Sequence, residues 1–371
     1  MVSKPAPGIL KLVRSDILEM LGYEPIEPSE VLAEQLGIPA DQIAKLDGNE
    51  NPYGPSPRVL EALGSFESYH RYGDPQQRRL RAALGEYVGV PAEHIVAGHG
   101  ADELIDLLLR ALIAQGEGVI DCPPSFSMYR FSTQVAGGRL IEVPRHDDFS
   151  LDIGTVQTAA GQAKLIFVTS PNNPTGNLLT REKRKALLAT GLLVVVDEAY
   201  AEFASDSFAR LVPERENLVV LRTFSKWAGL AGLRAGYGIM PPALADVLMH
   251  IKPPYTPNIA AEVAMLASLE DAEQLMEKVE VLIEERERMG RKLDALEFLE
   301  VYPSQANFIL TRLGADFDAR QVRDRLVEQG IFVRYFDTPR LRDCLRISVG
   351  LPSDTDRLVE ALRKQGGEDA R

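Results

Sequence analysis

From about Asn49 to Ile259, short apolar runs alternate with helical patterns, and no other feature limits the possible folds as much. The strand-like runs are His94–Ala97, Gly118–Cys122, Leu140–Val143, Leu165–Thr169, Leu192–Val196, Leu218–Leu221 and Gly236–Met240. They are apolar at nearly every position, as in strands covered on both faces. Such runs interleaved with helices predict an α/β fold, with a mostly parallel seven-stranded sheet between two helical layers. At 371 residues the chain exceeds what one core usually supports, so a second, smaller domain is expected. The stretch from Ile259 to about Glu297 has no Pro and no Gly before Gly290, and predicts one long helix leading into that domain. Strand-like Asn307–Thr311, Ile331–Phe336 and Leu345–Val349, with helices over Phe317–Gln329 and from Ser353, complete a small α/β unit. The expected division is an N-terminal arm at 1–46 packing with the small domain, a large domain at 47–260 and the small domain at 261–371. The arm should carry a short helix around Lys11–Leu21.

Composition narrows the function classes. A net charge of -13 argues against a nucleic-acid surface, which needs cations to neutralise phosphates, and against adhesion to anionic membranes. Cys122 and Cys344 lack Cys-x-x-Cys spacing and read as reduced core residues. Met1–Pro5 shows no apolar signal-peptide region and no run reaches the length of a membrane span, so a cytoplasmic location is expected.

The polar residues at the ends of the apolar runs carry the chemistry. Asp197 ends Leu192–Val196, and Lys226 follows Leu218–Leu221 within Thr223-Phe224-Ser225-Lys226. Tyr200 lies three residues beyond Asp197, and Asn173 sits in Ser170-Pro171-Asn172-Asn173-Pro174-Thr175-Gly176. In open α/β sheets the carboxyl ends of strands face the ligand crevice. A carboxylate there is costly without a cation. A protonated pyridine nitrogen is such a partner. A lysine, an aspartate, an asparagine and a tyrosine from three strand ends are the parts that hold and tune a pyridoxal 5'-phosphate Schiff base.

The same cofactor needs an anion site. Gly98-His99-Gly100-Ala101-Asp102-Glu103 lies between a strand and a helix, where backbone N–H groups and the helix dipole favour a phosphate. As a dinucleotide fingerprint it lacks the third glycine, and an ordinary helix start is the alternative. Thr223, Ser225 and Arg234 would add hydroxyl and guanidinium donors. Neither G-x-S-x-G nor H-E-x-x-H occurs, and the five histidines are scattered, so no hydrolase or metal centre is expected.

Ser170–Gly176, Asp197–Tyr200 and Ser225-Lys226-Trp227-Ala228-Gly229-Leu230-Ala231-Gly232-Leu233-Arg234 resemble class I/II, fold-type I aminotransferases. More narrowly, Leu46-Asp47-Gly48-Asn49-Glu50-Asn51-Pro52-Tyr53-Gly54-Pro55-Ser56-Pro57 resembles the N-terminal signature of the histidinol-phosphate aminotransferases. Matches continue in order through Arg71-Tyr72, Gly100–Glu103, Cys122–Tyr129, Asn307–Leu310, Val333-Arg334 and Cys344–Gly350.

The resemblance implies that Lys226 forms the aldimine, Asp197 pairs with the pyridine nitrogen, and Tyr200 and Asn173 bind the phenolic oxygen. It implies that Gly100, Ala101 and Asp102 join Thr223, Ser225 and Arg234 at the phosphate. Tyr129 matches the aromatic that stacks on the ring; from the residues alone it is equally a core aromatic. Tyr72 matches a tyrosine that reaches the phosphate of a second subunit, implying a homodimer with shared sites. Arg334 and Arg346 match arginines that bind the substrate phosphate, the second also the amino donor's carboxylate, with Tyr23 and Asn173 beside them. Read as strand residues alone, the two arginines better suit a solvated outer face. The implied reaction joins a phosphorylated amine, L-histidinol phosphate, to 2-oxoglutarate and yields glutamate; an aromatic or broad-range aminotransferase, or a threonine-phosphate decarboxylase, is the alternative. Trp227 stands where the family usually has a small residue and would narrow the cleft, and Tyr72-Gly73-Asp74 replaces the more usual Tyr-Pro-Asp.

Overall fold

The structure, a computed structural model, describes residues 8–20, 22 and 25–369. Twelve strands are assigned among them: β1 (Ala44–Leu46), β2 (Ile95–His99), β3 (Gly118–Asp121), β4 (Arg139–Glu142), β5 (Leu165–Thr169) and β6 (Leu193–Asp197), then β7 (Leu218–Thr223), β8 (Ala235–Ile239), β9 (Leu299–Val301), β10 (Phe308–Leu313), β11 (Ile331–Tyr335) and β12 (Cys344–Ser348).

The large sheet has the order β2-β8-β7-β6-β5-β3-β4. Strands β4, β3, β5, β6 and β7 pair in parallel, while β8 runs antiparallel to both β7 and β2. Its near-continuous apolar strands are explained by burial on two sides. Val195, Val219, Leu221 and Phe167 face one core with Leu104 and Leu108 of helix Ala101–Leu112. Val194, Val196, Val220 and Ile166 face the other.

The small sheet has the order β1-β11-β12-β10-β9, with β1 parallel to β11 and the remaining pairs antiparallel. Strands β1 and β9 have three residues each and were not expected from the sequence. In the arm, a 3-10 turn at Ile9–Leu12 and a short helix at Ser15–Leu18 stand in place of the single helix expected there.

A second expectation is corrected as well. The long helix divides at Asp271 into Ile259–Glu270 and Ala272–Asp294. Asp271 sits at φ -115 and ψ 22, outside helical geometry, and caps both pieces. The two halves have different partners: the first packs on helices Pro57–Ser65 and Arg78–Val88, the second on β9, β10 and helix Pro352–Asp369. The break falls where the packing partners change, and the Asp271 side chain makes no capping hydrogen bond to the second helix.

Candidate active site

Strands β3, β5, β6 and β7 end in Asp121, Thr169, Asp197 and Thr223, and all four residues line one cleft of about 1500 Å³. Parallel register brings Thr169 level with Asp197, and Asp197 level with Leu221. The carboxyl edge of the sheet therefore gathers polar side chains from four strands, as open α/β sheets do.

Asp197 is buried, and among the described residues its hydrogen bonds come from neutral donors. Tyr129 donates its hydroxyl to Oδ2 at 2.7 Å, and the Ala199 N–H lies 2.9 Å from Oδ1. Burial pushes the carboxyl up to about 6, against the lowering effect of the Tyr129 bond.

Lys226 follows β7 on the loop Phe224-Ser225-Lys226 and lines the same cleft, its Nζ donating to the Gly48 carbonyl at 3.2 Å. Burial, with the Arg346 guanidinium next in weight, lowers the amine to about 8. That is the range in which a lysine is a nucleophile and a base near neutral pH.

Helix Ala101–Leu112 starts after Gly100, which has φ 80. A Cβ at Gly100 would lie 2.9 Å from Arg234 Nη2, and one at Gly236 would lie 2.5 Å from the Ala101 nitrogen. Glycine at both positions lets β8, Arg234 and the helix N-terminus close on one another. Ala101, Asp102, Thr223, Ser225 and Arg234 line this end of the cleft, with Gly100 behind them. Thr223 Oγ1 lies 2.9 Å from Ser225 Oγ, and Arg234 Nη2 pairs with Asp102 Oδ2 at 2.9 Å. Helix N–H groups, two hydroxyls and a guanidinium make an anion cradle.

Tyr200 and Asn173 meet on a third wall. Asn173 Nδ2 lies 3.4 Å from the Tyr200 hydroxyl, and Asn49 Nδ2 donates to the same oxygen at 2.9 Å. Asn49 was not assigned a role from the sequence. It has φ 52, a left-handed backbone that asparagine tolerates, and Ser348 Oγ donates to its Oδ1 at 2.8 Å. The turn-rich Asp47-Gly48-Asn49-Glu50-Asn51-Pro52 run was the signal for it.

Arg334 and Arg346 are direct cross-strand partners in the antiparallel β11–β12 pair, so both guanidinium groups rise from one face of the sheet, and both line the cleft. They lie 5.7 and 5.8 Å from the Phe336 ring centre. Arg346 also donates to Asn173 Oδ1 at 2.8 Å and to the Asp47 carbonyl. Like charges placed directly opposite are destabilising without an anion between them.

Two expectations, those for Tyr129 and Trp227, end differently. Tyr129 is fully buried and does not line the cleft; its ring stacks on Phe167 at 4.8 Å and 2°. The aromatic that does line the cleft is Phe126, edge-on to Tyr129 at 5.6 Å. Trp227 does not narrow the cleft: it is fully buried between Tyr87, stacked at 5.4 Å, and Phe224. Tyr72 is 81% exposed and stacked on Tyr255 at 4.2 Å, away from this chain's own cleft lining. Tyr23 lies outside the described residues.

A phosphorylated pyridine aldehyde fits this donor set. Its phosphate suits the glycine-floored cradle, a protonated ring nitrogen suits the buried carboxylate that is bonded only by neutral donors, and its aldehyde suits Lys226. Among the described residues no group of His, Cys, Asp and Glu could hold a metal ion, and no helix is long and apolar enough to cross a membrane.

Residues 41–362 match the family model for aminotransferase class I and II. The chain is 50% identical over 366 residues to histidinol-phosphate aminotransferase of Roseiflexus castenholzii, covering 96% of this chain and 99% of the relative. It is 44% identical to the chloroplastic histidinol-phosphate aminotransferase of Nicotiana plumbaginifolia, with coverages of 95% and 86%. The crystal structure of histidinol-phosphate aminotransferase from Sinorhizobium meliloti in complex with pyridoxal-5'-phosphate superposes with a TM-score of 0.87 at 30% identity, covering 96% and 98% of the two chains. The chain belongs to the class I and II aminotransferases, among the histidinol-phosphate aminotransferases.

Proposed function

We propose that this aminotransferase converts L-histidinol phosphate and 2-oxoglutarate into imidazole-acetol phosphate and L-glutamate, a step of histidine biosynthesis, with pyridoxal 5'-phosphate as cofactor. The observation that carries the reading is the presence of two cationic anion sites in one cleft with a lysine of lowered pKa. One is the Arg234 cradle; the other is the cross-strand Arg334 and Arg346 pair.

The bound cofactor supplies an aldehyde for the substrate nitrogen and an electron-withdrawing ring. The protein's residues do the rest. Ala101, Asp102, Thr223, Ser225 and Arg234 hold the cofactor phosphate, and Asp197 holds positive charge at the ring nitrogen. Asn173 and Tyr200 direct an amide and a hydroxyl at the phenolic oxygen. Phe126, in place of Tyr129, would wall one side of the ring, and Lys226 Nζ would hold the aldehyde end. As a free amine, Lys226 Nζ would move the proton at the substrate carbon that bears the amine. Arg346 and Arg334 bind the phosphate of histidinol phosphate, and Arg346 takes the α-carboxylate of glutamate in the other half-reaction. One pocket thus serves a substrate without an α-carboxylate and a substrate with one.

Residues 47–260 form the cofactor-binding domain and 261–371 the small domain, joined by the arm at 1–46. Pairing of β1 with β11 supports that grouping. The enzyme works as a homodimer in which Tyr72 reaches the partner's phosphate cradle; its exposure in the single chain supports this. The two buried free cysteines suit a reducing, cytoplasmic setting.

Assay of the reconstituted enzyme with histidinol phosphate, phenylalanine and threonine phosphate tests the substrate. The first should have the highest kcat/KM by about tenfold or more, the scale of one well-made polar contact. If it ranks last, the substrate reading is wrong.

A further inference from the structure

We propose that Tyr129 is a positioning residue of the transamination site: its hydroxyl fixes the Asp197 carboxylate while its ring braces the Phe126 wall. The inference rests on the reading of Asp197 as partner of the cofactor ring nitrogen and adds the device that aims that carboxylate.

Three contacts define the role. The Tyr129 hydroxyl donates to Asp197 Oδ2 at 2.7 Å, and the Ala199 N–H holds Oδ1 at 2.9 Å. Each carboxylate oxygen therefore has one protein donor, and two donors on opposite oxygens fix rotation about the Cβ–Cγ bond. Thr169 Oγ1 lies 2.9 Å from the Tyr129 oxygen. A phenol has one proton, and a carboxylate can only accept it, so the Thr169 hydroxyl donates to Tyr129 and the order is Thr169 to Tyr129 to Asp197. Thr169 and Asp197 are level in the β5–β6 register, which sets the relay across two strand ends. The third contact is the ring. It stacks on Phe167 and stands at 84° to Phe126, whose own ring lines the cleft.

A phenol buried this deeply requires a hydrogen-bond partner, and Thr169 alone would satisfy it. The bond to Asp197 goes beyond that requirement. It also opposes the effect of burial on the carboxylate, favouring its charged form.

The test uses two ligands that differ at one atom: pyridoxal phosphate and its 1-deaza analogue, in which carbon replaces the ring nitrogen. The full-length chain is stripped of cofactor and titrated with each, following fluorescence of its only tryptophan, Trp227. Tyr129→Phe keeps both ring contacts and deletes the hydroxyl. It is expected to weaken pyridoxal phosphate binding about tenfold or more, the scale of a hydrogen bond to a charged group, with deaza-analogue binding within about threefold of wild type. Thr169→Val removes only the outer donor and should shift the same preference about threefold. If Tyr129→Phe does not fold, the second variant carries the test. Equal loss for both ligands, or an unchanged preference in either folded variant, overturns the proposal. Asp197→Asn is the control: if the unaltered protein and this variant show the same ratio for the two ligands, the reading of Asp197 itself fails, independently of Tyr129.

Discussion

Asp197 and Glu198 are adjacent in the chain and both are buried, yet their surroundings are opposite. Strand alternation sends Asp197 to the cleft side of the large sheet and Glu198 to the far side. Glu198 meets Arg222, the residue before Thr223, whose Nε and Nη2 donate to Oε2 at 3.0 and 2.9 Å. Ser207 Oγ and the Phe208 N–H complete its shell. The far-side carboxylate has a cation and a full set of donors from its own chain. On the cleft side, the carboxylate has only neutral donors among the described residues, and an elevated pKa. The difference separates a charge that locks the ends of β6 and β7 together from one that burial disfavours, as the proposed role of Asp197 toward a ligand cation requires.

The largest expected effect breaks the structural side. Arg222→Met strands Glu198 without its cation and should cost about 3–5 kcal/mol in chemical denaturation. Asp197→Asn should act in the opposite sense. Activity should fall about 10²–10³-fold with the fold intact, while the cofactor-free protein becomes more stable above neutral pH. A cofactor-free Asp197→Asn protein less stable than wild type at pH 8 would end the comparison.

Proton linkage sharpens it further. The Asp197 carboxyl is raised from 3.8 to about 6, so the folded chain binds more protons than the unfolded one between those values. Its contribution is present below about pH 4 and is lost as pH rises through about 6. Lys226 is lowered from 10.5 to about 8, so there the unfolded chain binds more protons and stability rises with pH across that window. Urea titrations of the cofactor-free protein should show the first slope vanish in Asp197→Asn and the second in Lys226→Met. The smallest effect concerns Trp227. Because its indole is enclosed by Tyr87 and Phe224, Trp227→Phe should leave KM for histidinol phosphate within about twofold and cost roughly 1–3 kcal/mol of stability. A large KM change would return Trp227 to the cleft.

Legibility followed physical locality. Apolar runs buried on both faces stand out in one dimension, so the seven strands of the large sheet were readable to within a few residues. The strand-end positions of Asp197 and Lys226 were readable because Asp197 closes one such run and Lys226 lies a few residues beyond another. Strands β1 and β9 were not, because three residues carry no periodicity and pairing with β11 and β10 creates them. Phe126 precedes helix Met128–Val135 and Tyr129 lies in its first turn, and only the packing there decides which ring meets the cleft. Trp227 follows the lysine directly, and the direction of its side chain belongs to the loop's fold. Asn49 depended on a left-handed turn and on Ser348, at the far end of the chain.

By itself, the order of residues determined the α/β layering, the strand ends that bear the reactive groups and the family, because patterning and short motifs are local properties. Tertiary structure alone decided which aromatic faces the cofactor site, which charge is paired, and how Arg334 and Arg346 come to stand side by side. Those outcomes depend on strand register and helix angle, which are set by packing between segments far apart in the chain.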